Sequence, residues 1–438
     1  MNNREIAQKI FIEGVRSVLP EKLIKNRLSV RGGELKIKDQ SFRLDDFSNI
    51  YVIGAGKASA AMAHFVEVLL GERILKGHVV VKYGFACQLN KIKVTEAGHP
   101  IPDENSFSAT SEILDIAAEA GERDLVLCLI SGGGSSLLAD LPEGILPEEL
   151  YIVNNLLVRS GATINEINCV RKHLSLVKGG HLAKKVWPAT MVTLILSDVT
   201  GDPLEVIASG PTIPDPSTYA EALRIIEKYG LNKDLTSGVL NYLEKGAAGV
   251  HPETPKPGDE AFSRTYNILA GTNLIALDAA GKAAMEMGLN TFIIDSQVKG
   301  DIESVSGSIF ETALAFKQNQ ELRKPVCLLY GGETTVRVGG NGLGGRNQHL
   351  ALSLAVRLHG TEGITFLSAG TDGNDGPTDA AGAVVDSDTV KTAMSKKIDP
   401  IKYLEEFDSW NFFRLAGGHI KTGPTFTNVM DLFVTIID

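Results

Sequence analysis

The chain is poor in the residues that mark secreted, membrane or metal-built scaffolds. Its four cysteines, Cys87, Cys128, Cys169 and Cys327, lie far apart among 438 residues and show no metal spacing. Cys128 and Cys327 sit in apolar runs and read as buried thiols, which suits a reducing, cytoplasmic setting. No apolar run approaches the ~18 residues of a membrane span. The opening Met1-Asn2-Asn3-Arg4-Glu5 has no apolar signal core. Positive charge is also in deficit, with 43 Lys and Arg against 53 Asp and Glu. That balance excludes general nucleic-acid binding, which needs a basic face. An anionic substrate must then be drawn by a local patch. Low-complexity tracts and internal repeats are absent. The remainder, 43% hydrophobic and 22% charged, is globular in composition, and the length sets a prior of two or three domains.

Apolar runs alternate with helical patterns through most of the chain. Residues 4–20 read as an amphipathic helix and 28–44 as a hairpin around Arg31-Gly32-Gly33-Glu34. Strands are expected at 50–54, 78–82, 92–95, 124–130 and 190–196, with helices at 57–70, 105–120, 147–160, 164–185 and 218–229. Three prolines between Pro252 and Pro257 mark a linker. A second rhythm follows, with strands at 266–270, 291–295, 326–330, 334–338 and 364–368, and helices at 273–287, 301–318 and 346–358. The fold class is therefore α/β, with a mainly parallel sheet in the first half. The expected boundaries are a domain at 1–250, a linker at 251–262 and a second domain at 263–438, with a cleft between the domains. The sequence leaves open which domain the opening helix joins.

Glycine-rich loops at strand ends carry the chemistry. Gly54-Ala55-Gly56-Lys57 follows an apolar strand and precedes a helix, an arrangement that offers backbone N–H groups and one cation to an anion. It is not a Walker loop: the glycines are too close and Ala58 follows the lysine. It is not a dinucleotide fingerprint either, because Ser59 stands where the third Gly or Ala belongs, and Lys82 where an acid should end the second strand. Ser131-Gly132-Gly133-Gly134-Ser135-Ser136 is a stronger signal, since three consecutive glycines are costly unless a ligand needs close backbone approach. Arg171, Ser175 and Lys178 share a helical face, which reads either as an anion-binding face or as a charged face in solvent. His173 and His181 lack a local carboxylate to complete a metal set. Asp198 leaves a strand end, where it is placed to bind Mg²⁺, to accept a proton, or merely to cap a turn. In the second half, the glycine-rich run 339–345 ends at Gly344-Gly345-Arg346-Asn347, with Arg346 suited to bidentate contact with carboxylate or phosphate. The stretch from Gly370 to Asp379 spaces Asp372, Asp375 and Asp379 as a metal or phosphate loop would, or as a plain acidic turn. Together these loops fit phosphoryl transfer, which needs donors, cations, a divalent metal and a base.

Taken in order, Gly-Ala-Gly-Lys-Ala-Ser, Glu96-Ala97-Gly98-His99-Pro100-Ile101-Pro102-Asp103, Ser-Gly-Gly-Gly-Ser-Ser, Leu196-Ser197-Asp198-Val199-Thr200-Gly201-Asp202, Gly331-Gly332-Glu333-Thr334-Thr335, Gly-Gly-Arg-Asn-Gln and the 369–382 stretch resemble the class II glycerate kinases, the MOFRL-type family. The resemblance spans about residues 5 to 435. It implies a Rossmann-like first domain, a smaller mixed-sheet second domain, and ATP- and Mg²⁺-dependent phosphorylation of D-glycerate to 2-phosphoglycerate. It maps the family's lysine and arginine onto Lys57 and Arg346. Asp198 is the expected base. Gly54, Gly56, Ser131, Gly132, Gly133, Gly134, Ser135, Gly344, Gly345 and Asn347 are the expected phosphate contacts, and one or more of Asp198, Asp372 and Asp375 the metal ligands. One departure is His349, where the family usually has Glu. Partners are expected to be glycerate and ATP, with no nucleic acid or membrane, and a homo-oligomer is left open. The rival readings are an NAD(P)H-dependent hydroxypyruvate reductase and a non-catalytic sugar-acid sensor.

Overall fold

The computed structural model describes residues 1–336 and 339–438, and these form two compact α/β units. The Rossmann-like unit comprises residues 23–197 and 202–270. Across its six-stranded sheet the strands run Ile92–Ala97, Ile74–Lys82, Asn49–Ala55, Asp124–Ile130, Thr190–Leu196 and Thr265–Gly271. In chain order this is third, second, first, fourth, fifth, sixth, and the first five pair in parallel. Asp124–Ile130 and Thr190–Leu196 are buried at every position, as central parallel strands covered on both faces must be. The order reverses between Asn49–Ala55 and Asp124–Ile130. Connections depart in opposite directions there, so a crevice opens at the carboxyl ends of these two strands. The loops at 54–57 and 131–136 both begin at that crevice.

Local sequence explains most of the rest of this unit. Helices Pro147–Arg159, Ile164–His173, Tyr219–Lys228 and Ser237–Ala247 share a separate core containing Leu150, Val153, Val170, Ile226 and Leu243. The single helix expected over 164–185 is two, Ile164–His173 and His181–Val186. Gly179 and Gly180 stand between them at φ +57° and +86°, a left-handed pair immediately before the second helix, of which Gly180 is the N-cap. The expected hairpin is a three-stranded antiparallel sheet, Leu28–Arg31, Glu34–Ile37 and Gln40–Arg43.

The mixed-sheet unit comprises residues 1–22, 198–201 and 271–438. Its strand order is Asn290–Asp301, Val326–Thr335, Asp431–Ile437, Ile364–Gly370, Gly382–Asp386 and His419–Ile420. The first pair is parallel and the others antiparallel. Of the strand expected at 334–338, residues 334 and 335 close Val326–Thr335, and 337–338 lie outside the described residues.

These units divide the chain differently from 1–250, 251–262 and 263–438. The opening helix, Asn3–Ser17, packs on Asn273–Glu286 because Gly14 permits it: a Cβ there would sit 3.0 Å from the Ala276 carbonyl oxygen. Arg4 fixes the other end on Asp386 at 2.5 Å. The proline-rich stretch is pinned to the Rossmann-like unit. Glu253 accepts the Tyr219 N–H at 3.0 Å, Thr254 donates to Asp215 at 3.1 Å, and the Pro255 carbonyl accepts the Asp215 N–H at 2.9 Å. Proline rigidity serves a packed strap here as well as it would serve a spacer. Among the described residues no helix is long and apolar enough to cross a membrane.

Candidate active site

The two loops at the crevice are sewn to each other. The Lys57 N–H donates to the Gly132 carbonyl at 2.9 Å, the Ser131 N–H to the Ala55 carbonyl at 3.1 Å, and the Ala58 N–H to Ser131 Oγ at 2.9 Å. A Cβ at Gly54 would overlap the Leu129 carbonyl, and one at Gly56 would overlap Ser131. Gly54 and Gly56 thus let two neighbouring strand ends approach closely, and the Gly56 N–H donates to the Val80 carbonyl at 3.1 Å. Gly134 is packed against Ala208, whose methyl would lie 2.9 Å from a Cβ added there.

Gly133 and Ser135 have another setting. With His99, Ser136, Asp140, Arg171 and Lys178 they line a cavity of about 410 Å³ whose remaining walls include Ile101, Leu150, Tyr151 and Val158. Gly133 is at φ +85°, and a Cβ there would lie 2.8 Å from the His99 ring. Burial, reinforced by the positive charges of Lys57 and Lys82, holds His99 near a pKa of about 4, so its imidazole is neutral at pH 7.

Two cations and one carboxylate line this cavity. Lys178 is 6% exposed, donates to the Leu138 carbonyl and lies 4.0 Å from Asp140. Burial pulls its ammonium down to about 8, against the favourable charge of Asp140. Asp140 is raised by burial and is held by Ser175 Oγ at 2.5 Å and by the Leu176 N–H. Arg171 makes one side-chain hydrogen bond among the described residues, from Nε to Asn154 at 2.6 Å, and no ion pair. The face read as either anion-binding or solvated is therefore the wall of a cavity. Helical spacing does not create it, because the helix ends at His173; the turn through Ser175 returns Lys178 to the same place.

In the mixed-sheet unit Arg346 opens helix Arg346–Leu358 and is clamped. Its Nε and Nη2 donate to the two oxygens of Asp431 at 2.6 and 3.0 Å, and Nη1 donates to Glu333. Asp431 is fully buried, and its register neighbours on both sides are glycines, Gly332 and Gly370. Two missing side chains leave the sheet face open for the carboxylate and the guanidinium.

Asp375 caps the same helix. It accepts the Asn347 N–H at 3.0 Å and the Gln348 N–H at 2.8 Å, plus the Gln348 side-chain amide at 3.0 Å. Burial raises it to about 6 despite these donors. Its oxygens are therefore committed to helix Arg346–Leu358. Asn347 is likewise engaged, accepting from Ser368 Oγ at 2.6 Å. Gly344 and Gly345 are packing glycines: a Cβ would overlap Ser409 Oγ at the first and the Asp375 carboxylate at the second. Asp198 and Asp372 instead border the segment 425–431. Asn428 donates to Asp198 at 3.4 Å, and the Asp372 carbonyl accepts the Thr425 N–H at 3.2 Å. Both are carboxylates of the kind a hard divalent cation takes. Among the described residues no group of three or more His, Cys, Asp or Glu stands ready as a metal cage; Mg²⁺ commonly binds through one or two carboxylates plus substrate phosphates.

The residues that sequence reasoning did not nominate are His99, Asp140, Asn154 and Asp431. His99 carried a signal, the short Gly98-His99-Pro100 motif. Asp431 carried none, because its meaning lies in two glycines on other strands.

A family model described as a domain of unknown function, DUF4147, matches residues 6–244, and the MOFRL family model matches 326–431. A protein of Thermotoga maritima named D-glycerate 2-kinase is 41% identical over 99% of this chain and 98% of its own. A relative in Agrobacterium vitis, 40% identical over 99% of this chain and 94% of its own, carries a provisional hydroxypyruvate reductase name. A crystal structure of glycerate kinase from Thermotoga maritima matches with a TM-score of 0.88 and 40% identity, covering 99% of both chains. With two family models in the same order as the motifs, and relatives aligned end to end, the chain belongs to the class II glycerate kinase family.

Proposed function

We propose that the protein phosphorylates D-glycerate to 2-phosphoglycerate with ATP and Mg²⁺. The observation that carries this reading is the cation-rich cavity at the switch point of a Rossmann-ordered sheet, in a chain of this family. Lys57 and Arg346 are the two reaction cations: one holds the glycerate carboxylate and the other offsets charge on the transferring phosphoryl group. Arg346 keeps Asp431 as its fixed partner and exchanges the half-exposed Glu333 for substrate oxygen. Asp198 accepts the hydroxyl proton. Asp198 or Asp372 would hold Mg²⁺, which would supply neutralising charge to the phosphates, and Asp375 supports Arg346 from behind as a helix cap. Of the expected phosphate contacts, Gly133 and Ser135 line the cavity.

The hydroxypyruvate reductase reading has the Agrobacterium vitis name and the strand order in its favour. Against it, Ser59 stands where the fingerprint's third Gly or Ala belongs, and the second strand, Ile74–Lys82, ends on Lys82 and not on an acid. Phosphorus NMR of a mixture of protein, ATP, Mg²⁺ and D-glycerate tests the kinase reading and its regiochemistry together. A 2-phosphoglycerate resonance is expected. Oxidation of NADPH by hydroxypyruvate with no phosphorylated product would replace kinase with reductase.

A further inference from the structure

We propose that the 410 Å³ cavity is the adenine-nucleotide site, with Arg171 and Lys178 gripping the phosphates and Ile101, Tyr151 and Val158 cradling the base. The proposal rests on the kinase reading and names the place and residues for its phosphoryl donor.

Charge is the first argument. The cavity wall holds two cations and one carboxylate, and the Arg171 guanidinium has no acidic partner among the described residues. A half-buried guanidinium without a counter-ion is costly unless an anion arrives. Its Nε is taken by Asn154, which leaves both terminal nitrogens for bidentate contact with a phosphate. Ser135, Ser136 and the Gly133 backbone stand on the same wall.

Shape and polarity are the second. A volume of 410 Å³ falls within the roughly 300–1,000 Å³ of cofactor-sized sites. Glycerate is far smaller and has no apolar face to match such walls. Yet Ile101, Tyr151 and Val158 remain 53%, 46% and 61% exposed around the opening. Apolar groups left in water beside buried cations suit a ligand that is flat and weakly polar at one end and anionic at the other. A nucleotide has that form. The cavity also opens at the strand-order reversal, where α/β sheets take nucleotides.

The test is calorimetric titration of the full chain with ADP, beside steady-state kinetics, for the native protein, Arg171→Met and Val158→Asp. Val158 is on the exposed rim, so its variant is expected to fold even if Arg171→Met does not; melting curves verify each. Both variants should weaken ADP by about tenfold or more and raise KM for ATP in step, with KM for D-glycerate unchanged. Native ADP affinity in both variants, loss of glycerate affinity in place of ADP affinity, or an absence of ADP binding by the native protein overturns the proposal. If native protein binds ADP and the variants do not, but glycerate is never phosphorylated, the cavity assignment stands and the kinase reading falls. If glycerate is phosphorylated and the variants keep native KM for ATP, the kinase reading stands and the cavity assignment falls.

Discussion

The two units bury positive charge in opposite ways. Arg346 meets two carboxylates, Asp431 and Glu333, so its surroundings are negative on balance. Arg171 meets none among the described residues, and Lys178 reaches Asp140 only at 4.0 Å, so theirs are positive. A saturated arginine is fixed electrostatic architecture, and its neighbours decide what it presents to substrate. An unsaturated pair is completed from outside. Sequence shows both as cations near glycines; only their partners separate a positioned charge from a grip that needs a ligand.

The sharpest way to break this contrast is to remove each reaction cation. Arg346→Ala should cost transition-state stabilisation of ~3 kcal/mol or more. It should also cost stability of about 3–5 kcal/mol, because Asp431 would be left buried without its counter-ion. Lys57→Ala should match the first loss, measured as kcat/KM. Native turnover in both variants would remove these residues from the reaction. An unchanged melting temperature in Arg346→Ala would show the Asp431 clamp to be idle.

Asp431→Asn probes the same clamp more gently. It keeps the shape between Gly332 and Gly370 but replaces two charge-assisted bonds by weaker ones. The expected result is a fall in kcat of roughly tenfold or more with KM for ATP unchanged, the pattern of a group that aims another. A rise in KM for ATP alone would move Asp431 out of the positioning role.

The glycine loops sharpen the comparison further. Gly345→Ala would drive a methyl into the Asp375 carboxylate and loosen the helix that carries Arg346, at about 1–3 kcal/mol. Gly133→Ala faces the His99 ring and a left-handed backbone, at about 1–2 kcal/mol. Its effect should also appear in KM for ATP, whereas that of Gly345→Ala should appear in kcat and melting temperature. A swap of those readouts would reverse the roles given to the two loops.

Much of this was legible in the chain. The apolar runs at 124–130 and 190–196, bounded by glycine and aspartate, match the buried central strands residue for residue. The order of strand-end loops pointed to the crevice and to the family. Single glycines carry two meanings that sequence does not separate. Gly54, Gly56, Gly344 and Gly345 are required by close backbone or side-chain approach, a need that looks the same in sequence as a need to admit phosphate. The strands Gly382–Asp386 and Asp431–Ile437 went unread, and with Asp431–Ile437 went the centre of the mixed sheet and Asp431. Residues 1–22 joined the far end of the chain through Gly14, a contact no local pattern announces.

Acid should act unevenly on the two units. Burial holds His78, His99 and His181 of the Rossmann-like unit at about 4, below the usual 6.5. Between those values the unfolded chain takes up protons that the native state resists, so their stabilisation is lost as pH falls from 6.5 towards 4. Asp140 and Asp202, both raised by burial, work against this in the same unit, two groups against three histidines shifted as far as about 4. In the mixed-sheet unit His349 and His419 are also lowered, but Asp375 at about 6 opposes them by gaining its proton earlier in the native state. Hydrogen exchange compared at pH 7 and pH 5 should therefore show greater loss of protection in Ile74–Lys82 and Thr190–Leu196 than in Ile364–Gly370. Equal losses would mean that these histidines do not govern acid stability.

The smallest effect belongs to His349. Its ring stacks on Phe407 at 4.8 Å with an interplanar angle of 3°. Phe407 leads into Asp408, which accepts the Leu343 N–H at 2.9 Å, and the neighbouring Glu406 carbonyl accepts the Gly342 N–H at 2.9 Å. The stack therefore ties helix Arg346–Leu358 to the segment that supports the glycine-rich run before Arg346. A stacked aromatic pair contributes about 0.5–1.5 kcal/mol beyond its buried area. His349→Ala should lower stability by about that much, read from urea unfolding, and leave kcat and the Mg²⁺ dependence of the rate unchanged. A shifted Mg²⁺ requirement would make position 349 part of the metal environment and would extend the reaction centre one helical turn beyond Arg346.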